Sequence, residues 1–417
     1  MESNNQKKFI GLSRSVFVNR YKTDIAKRNK AKGVRALEKP KFSLADFLNE
    51  KIWKWIEHSL RHLLGSKHEF QVYKNGGVYP LQSNNTSGKV TISIVADWAT
   101  DTEESVAVAN KIKSLSPDYT IHLGDTYYTG ESDEINDNFL KPGAPWHRGN
   151  RGSFALMGNH EMYSMAKAYY RDLLPSMGPF ENGKYSGQGA SYFCLTTENW
   201  IIIGLDTGYN SVSFPYVWNS FKSNCQLPDP LMEWLKKTVN LAEEKRGIIL
   251  LSHHQYVSAF CGEKNYTKPA EQLAQLIGTD KKVIWIWGHE HRFAIYGKYQ
   301  SSKGISVYGR CIGHGGMPVE LHAMTLDGIK LPGVNLLGYD NRIRKQLGGV
   351  DVGWNGFAHL TLEKENLTIS YYDTNGLLME EKWKSNANGE IACNDITLSE
   401  SGKQMKFLKS AEDLINS

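Results

Sequence analysis

Five short groups of oxygen and imidazole side chains each follow an apolar run of the sequence. In chain order they are Asp97, Asp125, Asn159-His160-Glu161, His253-His254 and His289-Glu290-His291. The carboxyl ends of neighbouring parallel strands meet at one edge of a sheet, so we expect these side chains to share a single site. Carboxylate, amide and imidazole donors together suit Fe, Mn or Zn better than Ca. The pattern therefore predicts a transition-metal centre.

Asp97 and Asp125 set the charge of this expected site. They follow the apolar runs 90–96 and 119–123. Two carboxylates side by side repel one another, so a positive charge is needed between them. Taken alone, an aspartate after a strand is more often a cap or turn residue. The ordered set of five groups, each behind its own apolar run, favours the metal.

Strands and helices that alternate along the chain must position these donors. Continuous apolar runs of this length are typical of strands that are buried on both faces. We predict strands at 90–96, 119–123, 153–157, 191–195, 200–205, 247–251 and 283–287, and helices at 104–115, 164–174, 230–246 and 270–276.

After residue 287 the pattern becomes β-rich. Short strands are predicted at 293–297, 304–308, 357–363 and 367–373. An α/β half followed by a β-rich half fits two central sheets covered by helices. We therefore predict an α/β fold of four layers, an α/β/β/α sandwich of two mixed β-sheets flanked by helices.

The order of the motifs resembles the calcineurin-like metallophosphoesterase superfamily over residues 90–292. The matching motifs are an aspartate, GD, GNHE, a histidine and GHEH. The superfamily usually has Asp-x-His in its first motif, whereas this chain has Ala99 two residues after Asp97. Tyr128 stands three residues after Asp125, and this GDxxY spacing is similar to that of the purple acid phosphatases. In those enzymes the tyrosine replaces the missing histidine and binds a ferric ion, so we interpret the two departures as one design.

The resemblance implies two metal sites with one shared ligand. Asp125 would bridge them, and His160 would lie outside both, facing the substrate phosphate. The superfamily typically has proline where this chain has Gln255, which leaves His253 or His254 as the ligand, and His253 matches the position. The implied ligands are Asp97, Asp125, Tyr128 and His291 for the first metal, and Asp125, Asn159, His253 and His289 for the second.

The reaction that this resemblance implies is hydrolysis of a phosphomonoester or phosphodiester by metal-activated hydroxide. Two metal ions about 4 Å apart clamp the attacking and leaving oxygens and generate hydroxide near neutral pH. A histidine such as His160 can protonate the departing oxygen. The resemblance implies two metal ions, Fe together with Fe, Zn or Mn, and a small phosphoester as substrate.

Three further residues are weighed against simpler roles. Asp206 ends a predicted strand, where a cap or turn role is about as common as a bond to a ligand histidine. His314 lies in a glycine-rich stretch that could line the pocket. His122 lies inside a strand pattern, and we predict that it packs in the core.

The basic character of the chain is confined to its N-terminus. Residues 1–42 hold twelve Lys and Arg against three acidic residues, so this stretch has a net charge of +9. The whole chain has a net charge of +5, so the other residues together carry −4. A solvated, partly disordered arm is the simpler interpretation. The alternative function is a nucleotide or nucleic-acid phosphodiesterase in which this arm contacts the phosphate backbone. A metal-free scaffold with the same fold is the alternative of another class.

The remaining organisation follows from local patterns. Residues 43–65 show helical periodicity, and 70–81 look like a hairpin that turns at Asn75-Gly76-Gly77. We predict the divisions 1–42 (basic arm), 43–88 (helix, hairpin and linker), 89–400 (catalytic domain) and 401–417 (tail).

Composition and cysteine usage favour a protein of a reducing compartment. The five cysteines are odd in number and never spaced as CxxC, which argues against a disulfide framework or a zinc–thiolate site. No apolar signal-peptide core and no membrane-length apolar window appear in the sequence. A cytoplasmic location is therefore the prediction.

Overall fold

The computed structural model describes residues 66–83, 88–212, 224–327, 333–347 and 349–409. The predicted arm at 1–42 and the helix predicted at 43–65 lie outside these ranges. Among the described residues, none of the helices has the length and apolar character needed to cross a bilayer.

Twenty β-strands run through the described part of the chain. In order they are β1 (Val78–Pro80), β2 (Val90–Val95), β3 (Tyr119–His122), β4 (Gly152–Ala155), β5 (Gly178–Glu181), β6 (Lys184–Tyr185), β7 (Phe193–Thr196), β8 (Trp200–Gly204), β9 (Gly247–Ser252), β10 (Lys282–Trp287), β11 (Phe293–Tyr299), β12 (Ser306–Ile312), β13 (Leu336–Tyr339), β14 (Lys345–Leu347), β15 (Val350–Val352), β16 (Gly356–Glu363), β17 (Asn366–Asp373), β18 (Leu377–Ser385), β19 (Ile391–Leu398) and β20 (Lys406–Phe407).

Eighteen of these strands form two nine-stranded sheets. The first sheet has the order β1-β7-β8-β9-β10-β12-β11-β13-β20, and the second has the order β19-β18-β17-β16-β2-β3-β4-β5-β6. Both sheets are mixed: β8, β9 and β10 run parallel in the first and β2, β3 and β4 run parallel in the second, whereas most of the outer pairs are antiparallel. Strands β14 and β15 form a separate hairpin.

Within the described ranges the α-helices are few and mostly short. They are α1 (Glu103–Leu115), α2 (Ser132–Ile135), α3 (Asn159–Tyr163), α4 (Asp229–Lys237) and α5 (Lys268–Ile277). Helix α1 begins where the Thr102 side chain accepts a hydrogen bond from the Ser105 amide, and it ends at Ser116 in a left-handed conformation with φ 47°.

Three apolar clusters show the layer order. One lies between the sheets and combines residues such as Ile92 and Phe154 of the second sheet with Ile249 and Ile284 of the first. A second cluster joins the outer face of the second sheet to α1, and a third joins the outer face of the first sheet to α4 and α5. The predicted four-layer α/β/β/α sandwich is confirmed.

Most of the predicted strands match the structure closely, but the hairpin predicted at 70–81 is wrong. Within residues 66–83, the strand present is β1, and it pairs in parallel with β7. Gly76 and Gly77 both have positive φ, and they lead the chain into β1. The segment before β1 is held by side-chain contacts and not by strand pairing. For example, the Tyr73 hydroxyl donates a hydrogen bond to the Tyr192 carbonyl at 2.9 Å.

Two predicted helices are shorter than their sequence patterns suggest. The pattern at 164–174 is broken by Met165 and Ala166, both at positive φ, and a five-residue π-helical turn covers Tyr169–Leu173. The pattern at 230–246 yields α4, which ends at Lys237, before Asn240 takes a left-handed conformation with φ 54°. Left-handed residues other than glycine stop a helix without the usual sequence signal.

The short outer strands β1 and β20 lie outside the predicted catalytic domain of residues 89–400. Both pair within the first sheet, β1 with β7 and β20 with β13. The predicted divisions of the chain stay predictions.

Candidate metal centre

The predicted donors emerge at the carboxyl ends of strands from both sheets. Asp97, Asp125 and Asn159 follow β2, β3 and β4 of the second sheet. The histidines follow β9 and β10 of the first sheet. The predicted donors therefore meet at a seam between the two sheets, with oxygen donors from one side and imidazoles from the other.

The backbone is sharply turned at three of these positions. Asp97, Asp125 and His289 have φ values of 54°, 70° and 66°. Residues other than glycine rarely adopt this conformation, and each instance costs on the order of 1–3 kcal/mol, so such residues cluster at functional sites. The turns aim all three side chains away from their strands and toward the seam.

The glycines that precede these donors allow close approach of neighbouring backbones. A Cβ on Gly158 would lie 2.1 Å from an oxygen of Asp125, and one on Gly288 would lie 2.6 Å from an oxygen of Asp97. Gly124 is also at positive φ, +99°, and its Cβ would lie 2.5 Å from the Gly158 amide nitrogen. Of the three glycines, only Gly124 also has the positive φ that favours glycine.

Asp97 and Asp125 are both buried and share one phenol. The Tyr127 hydroxyl donates to Asp97 Oδ1 at 2.8 Å and lies 3.2 Å from Asp125 Oδ2. The same hydroxyl lies 2.9 Å from His291 Nε2, which is 3.6 Å from Asp97 Oδ1. This group contains three of the four donors that the sequence predicts for the first metal.

The fourth predicted donor, Tyr128, lies outside this group, and the tyrosine hydroxyl at the aspartates belongs to its neighbour Tyr127; the assignment of Tyr128 as a ligand stays a prediction. The Tyr128 ring is buried, and its pKa is raised by burial and by the carboxylates of Glu320 and Glu134. The Tyr127 amide donates to the Ala99 carbonyl at 3.0 Å, which holds the strand-end loop so that the Tyr127 side chain faces the aspartates. The phenol at the aspartates is thus one residue earlier than the GDxxY spacing indicates.

The donors predicted for the second metal converge on His253. Its Nε2 atom lies 3.3 Å from Asp125 Oδ2, 3.3 Å from Asn159 Oδ1 and 3.2 Å from His289 Nδ1. The other ring nitrogen, Nδ1, donates to the Leu123 carbonyl at 3.1 Å. That bond fixes the ring orientation and leaves Nε2 facing the site, as is usual for histidine ligands of metals.

His254, the alternative ligand, lies beside the same group. Its ring centroid is 4.5 Å from that of His289, and its Nδ1 atom is 3.1 Å from the Thr207 hydroxyl. Ligand atoms of His253, His254 and His289 all lie within 4.8 Å of one another, as do those of Asp97, Asp125 and His253. Both histidines therefore remain within reach of a cation at this end of the site.

The charges at the seam fit cations. Burial would raise the pKa of Asp125, but the His253 and His160 imidazoles outweigh burial and hold that pKa well below its usual range. Burial would lower the pKa of His253, yet the Asp125 and Asp97 carboxylates raise it to about 9. A positive charge is therefore favoured where the carboxylates and imidazoles meet, and the donor types suit a transition metal.

His160 lies at the edge of the donor group. Its amide donates to Asp125 Oδ1 at 2.9 Å, and its Nδ1 atom donates to the Tyr128 carbonyl at 2.6 Å. Its Nε2 atom lies 3.7 Å from Asp125 Oδ2. Burial lowers the pKa of His160, and Asp125 opposes that effect. The ring is thus held at the edge of the site, with Nε2 toward the donors.

Two buried glutamates hold the strand-end loops, and neither is among the predicted metal ligands. Glu161 accepts hydrogen bonds from the amides of Asp125, Thr126 and Gly158 at 3.1, 2.6 and 2.8 Å. Glu134 accepts from the amides of Tyr128 and Thr129 at 2.6 and 2.9 Å. The signal for Glu161 was present, since it directly follows Gly158-Asn159-His160. Glu134 has no comparable signal.

The three further residues singled out from the sequence have separate environments. Asp206 accepts hydrogen bonds from the Tyr209 amide at 2.8 Å and from the Ser191 hydroxyl, which is the turn role. His314 is buried, with its ring 5.5 Å from that of Phe293. His122 is buried among aromatic rings, as predicted.

Comparison with known proteins matches the segment that carries this site. Residues 90–293 match the family model of the calcineurin-like phosphoesterases. A curated relative, tartrate-resistant acid phosphatase type 5 of Sus scrofa, is 24% identical over 315 residues, which covers 68% of this chain and 83% of that protein.

Solved structures resemble the chain more distantly. One described as GAP50, the anchor in the inner membrane complex of Plasmodium, is 12% identical with a TM-score of 0.45, and the match covers 75% of this chain and 90% of that one. A structure of PhoD is 14% identical with a TM-score of 0.45, over 78% of this chain and 74% of that one.

Proposed function

We propose that the chain, whose residues 90–293 match the family model of the calcineurin-like phosphoesterases, is a hydrolase of phosphate esters that works with two metal ions. The observation that supports this most directly is the convergence of Asp97, Asp125, Asn159, His253, His289 and His291 at one seam. Ligand atoms of Asp97, Asp125 and His253 lie within 4.8 Å of one another.

The proposed first metal ion is held by Asp97, Asp125, His291 and a phenol, and the second by Asp125, Asn159, His253 and His289. Tyr127 supplies the phenol in this proposal, since its hydroxyl lies 2.8 Å from Asp97. Such a pair of ions, when bound, polarises the phosphoryl group and provides hydroxide near neutral pH. Iron is the proposed occupant of the first position, because tyrosine and carboxylate oxygens suit it.

His160 is the proposed proton donor to the departing oxygen. Its Nδ1–H group is committed to the Tyr128 carbonyl at 2.6 Å, so Nε2 is the atom that can hold and release a proton toward the substrate. A positioned general acid of this kind contributes roughly 10²- to 10⁴-fold to the rate.

Glu161 fixes the relative positions of the loops that carry Asp125, Asn159 and His160. By accepting three amides of the loops after β3 and β4, it fixes Asp125 relative to Asn159 and His160. Correct relative placement of this kind is worth several orders of magnitude in a displacement reaction.

The test combines elemental analysis with hydrolysis assays. The purified chain is expected to carry about two metal ions and to hydrolyse p-nitrophenyl phosphate or bis(p-nitrophenyl) phosphate. His160→Ala is expected to retain the metal and to lose roughly 10²-fold or more in kcat. His147→Ala removes a half-buried histidine outside the donor group and serves as the matched control.

A chain with fewer than one metal ion and no hydrolysis of either ester would contradict the proposal and favour the metal-free scaffold. Nucleic-acid binding through residues 1–42 and a cytoplasmic location stay predictions from the sequence.

A further inference from the structure

The segment at residues 261–267 lies against the histidine side of the site. The ring centroid of Tyr266 is 5.3 Å from that of His254 and 6.3 Å from that of His289, in edge-on contacts. Tyr266 is half-buried, whereas Lys264 is exposed. An aromatic ring therefore borders His289, one of the donors assigned to the second metal, and is also partly exposed.

This segment is fixed to the protein at three points. The Gln255 side chain donates to the Lys264 carbonyl at 2.8 Å, and Asn265 Oδ1 accepts a hydrogen bond from the Ser258 amide at 2.9 Å. Glu263 forms a buried ion pair with Arg292 at 3.1 Å. A loop held in this way keeps its side chains in place before a ligand arrives, which reduces the entropy cost of binding.

The Arg292 anchor ties the segment to the GHEH motif itself. Arg292 directly follows His291, its guanidinium lies 4.2 Å from the ring centroid of Phe260, and its amide donates to the Glu290 carbonyl at 2.6 Å. The Glu263–Arg292 ion pair thus joins residues 261–267 to the loop that carries His289 and His291. The Tyr266 ring therefore stands at a fixed position relative to the donors.

The Tyr266 ring is half-buried, so part of it faces solvent. The Lys264 Nζ atom lies 5.0 Å from the ring centroid. Lys264 is exposed, and a lysine over an aromatic ring at an exposed site is held only weakly. A planar group of a ligand can displace this side chain and pack on the ring.

We propose that Tyr266 determines specificity by packing against an aromatic group in the alcohol part of the substrate. This inference rests on the proposed function and names its substrate class, namely phosphate esters of aromatic alcohols. In this proposal a phosphoryl group at the donors and a ring at Tyr266 are bound together, because the Tyr266 ring contacts the rings of His254 and His289. Ring–ring contacts of this kind strengthen binding roughly three- to tenfold.

The test uses phosphonates, which bind as phosphate esters do but cannot be hydrolysed. Dissociation constants of phenylphosphonate and methylphosphonate are measured by calorimetry on the metal-loaded full chain. The wild type is expected to prefer the phenyl compound, and Tyr266→Leu is expected to lose roughly three- to tenfold of that preference.

Tyr266→Phe retains the ring and is expected to keep the preference. Phe180→Leu removes an exposed ring on the β5–β6 hairpin and serves as the control for a general loss of aromatic surface. A Tyr266→Leu variant that weakens both phosphonates equally, or neither, would overturn the proposal. A wild-type protein that binds neither compound and hydrolyses no ester would instead refute the proposed function, so the two failures are distinguishable.

Discussion

Tyr127 links the two buried aspartates and His291 through a single hydroxyl. Burial, Asp97 and Asp125 all raise the pKa of this phenol, so in the metal-free protein it stays protonated and donates a hydrogen bond. A ferric ligand must lose that proton, and the loss is favourable only when a cation offsets the carboxylate charge.

Visible absorption can show which of the two neighbouring tyrosines binds the metal. If iron occupies the first position, a tyrosinate-to-iron band should colour the protein. Tyr127→Phe is expected to bleach that band, because the Tyr127 hydroxyl is the one 2.8 Å from Asp97, whereas Tyr128→Phe should keep it. Visible absorption spectra of the two iron-loaded variants provide the measurement. Bleaching by Tyr128→Phe alone would restore the assignment that the sequence spacing suggests.

The phenol could be predicted from the sequence, but not its position. The motifs identified the donor types and their order, since each group follows its own apolar run. Which of residues 127 and 128 points inward is a property of the backbone of this loop, where Asp125 has a φ of 70° and the Tyr127 amide donates to the Ala99 carbonyl. Spacing alone does not encode that dihedral angle, because aspartate adopts both conformations.

The buried carboxyl group of Asp206 should make the stability of the protein depend on pH. Burial raises its pKa to about 6, although Ser191 and Tyr209 oppose the rise. A carboxyl group whose pKa is higher in the native state binds its proton more tightly there, so its contribution to stability is complete below about pH 4 and is lost as pH rises to about 6.

We therefore expect Asp206→Asn to change the pH dependence of unfolding. Between pH 4 and pH 7 the free energy of unfolding of the wild type should fall by about 2 kcal/mol relative to that of the variant. Urea unfolding of both proteins at several pH values measures the difference. Parallel profiles would show that Asp206 ionises freely in the native protein.

At the scale of elements, the strand-end loops after β3 and β4 are in contact through their glycines. Gly124 combines a φ of +99° with a Cβ position only 2.5 Å from a backbone nitrogen of Gly158. Neither the strain nor the clash can be relieved by moving a side chain.

Gly124→Ala is accordingly expected to destabilise the protein by about 2–4 kcal/mol and to weaken metal retention. Gly143→Ala is the matched control, since Gly143 has a φ of +79° and nothing within 4 Å of its Cβ position. The control should lose only about 1 kcal/mol. Thermal unfolding and metal content report the two effects, and equal losses in both variants would remove the argument from close approach.

Elements that depend on apolar runs could be predicted, and those that depend on backbone exceptions could not. The strands at 247–251 and 283–287 appear as β9 and β10 almost unchanged. The helices predicted at 164–174 and 230–246 are shorter than expected because Met165, Ala166 and Asn240 adopt positive φ. The sequence also does not state which of the two sheets each strand joins.

Across the whole molecule, a buried ion pair connects the two sheets. Arg310 of β12 lies in the first sheet and Glu381 of β18 in the second, and Arg310 Nε donates to Glu381 at 2.9 Å. The hydroxyl of Tyr371 and the indole of Trp383 donate to the same carboxylate at 3.3 and 3.0 Å. Both charged side chains are almost fully buried.

Removing one partner of this pair should cost far more than neutralising both. Arg310→Met is expected to lower the free energy of unfolding by about 3–5 kcal/mol, because it leaves a buried carboxylate without its counter-charge. Arg310→Met with Glu381→Gln should recover part of that loss, since the amide still accepts from Tyr371 and Trp383. Denaturant unfolding of the single and double variants gives the coupling energy, and strictly additive losses would argue against a paired role.

The seam between the sheets has a consequence for assembly of the fold. Neither sheet alone holds all of the proposed ligands: the carboxylate and amide donors follow β2, β3 and β4, and the imidazole donors follow β9 and β10. Metal ions bound there would link the two sheets, and removing the ions with a chelator would weaken the packing of one sheet on the other. The melting temperature of the protein should then rise with the concentration of free metal. The metal supply would thus set the stability of the fold as well as the occupancy of the proposed site.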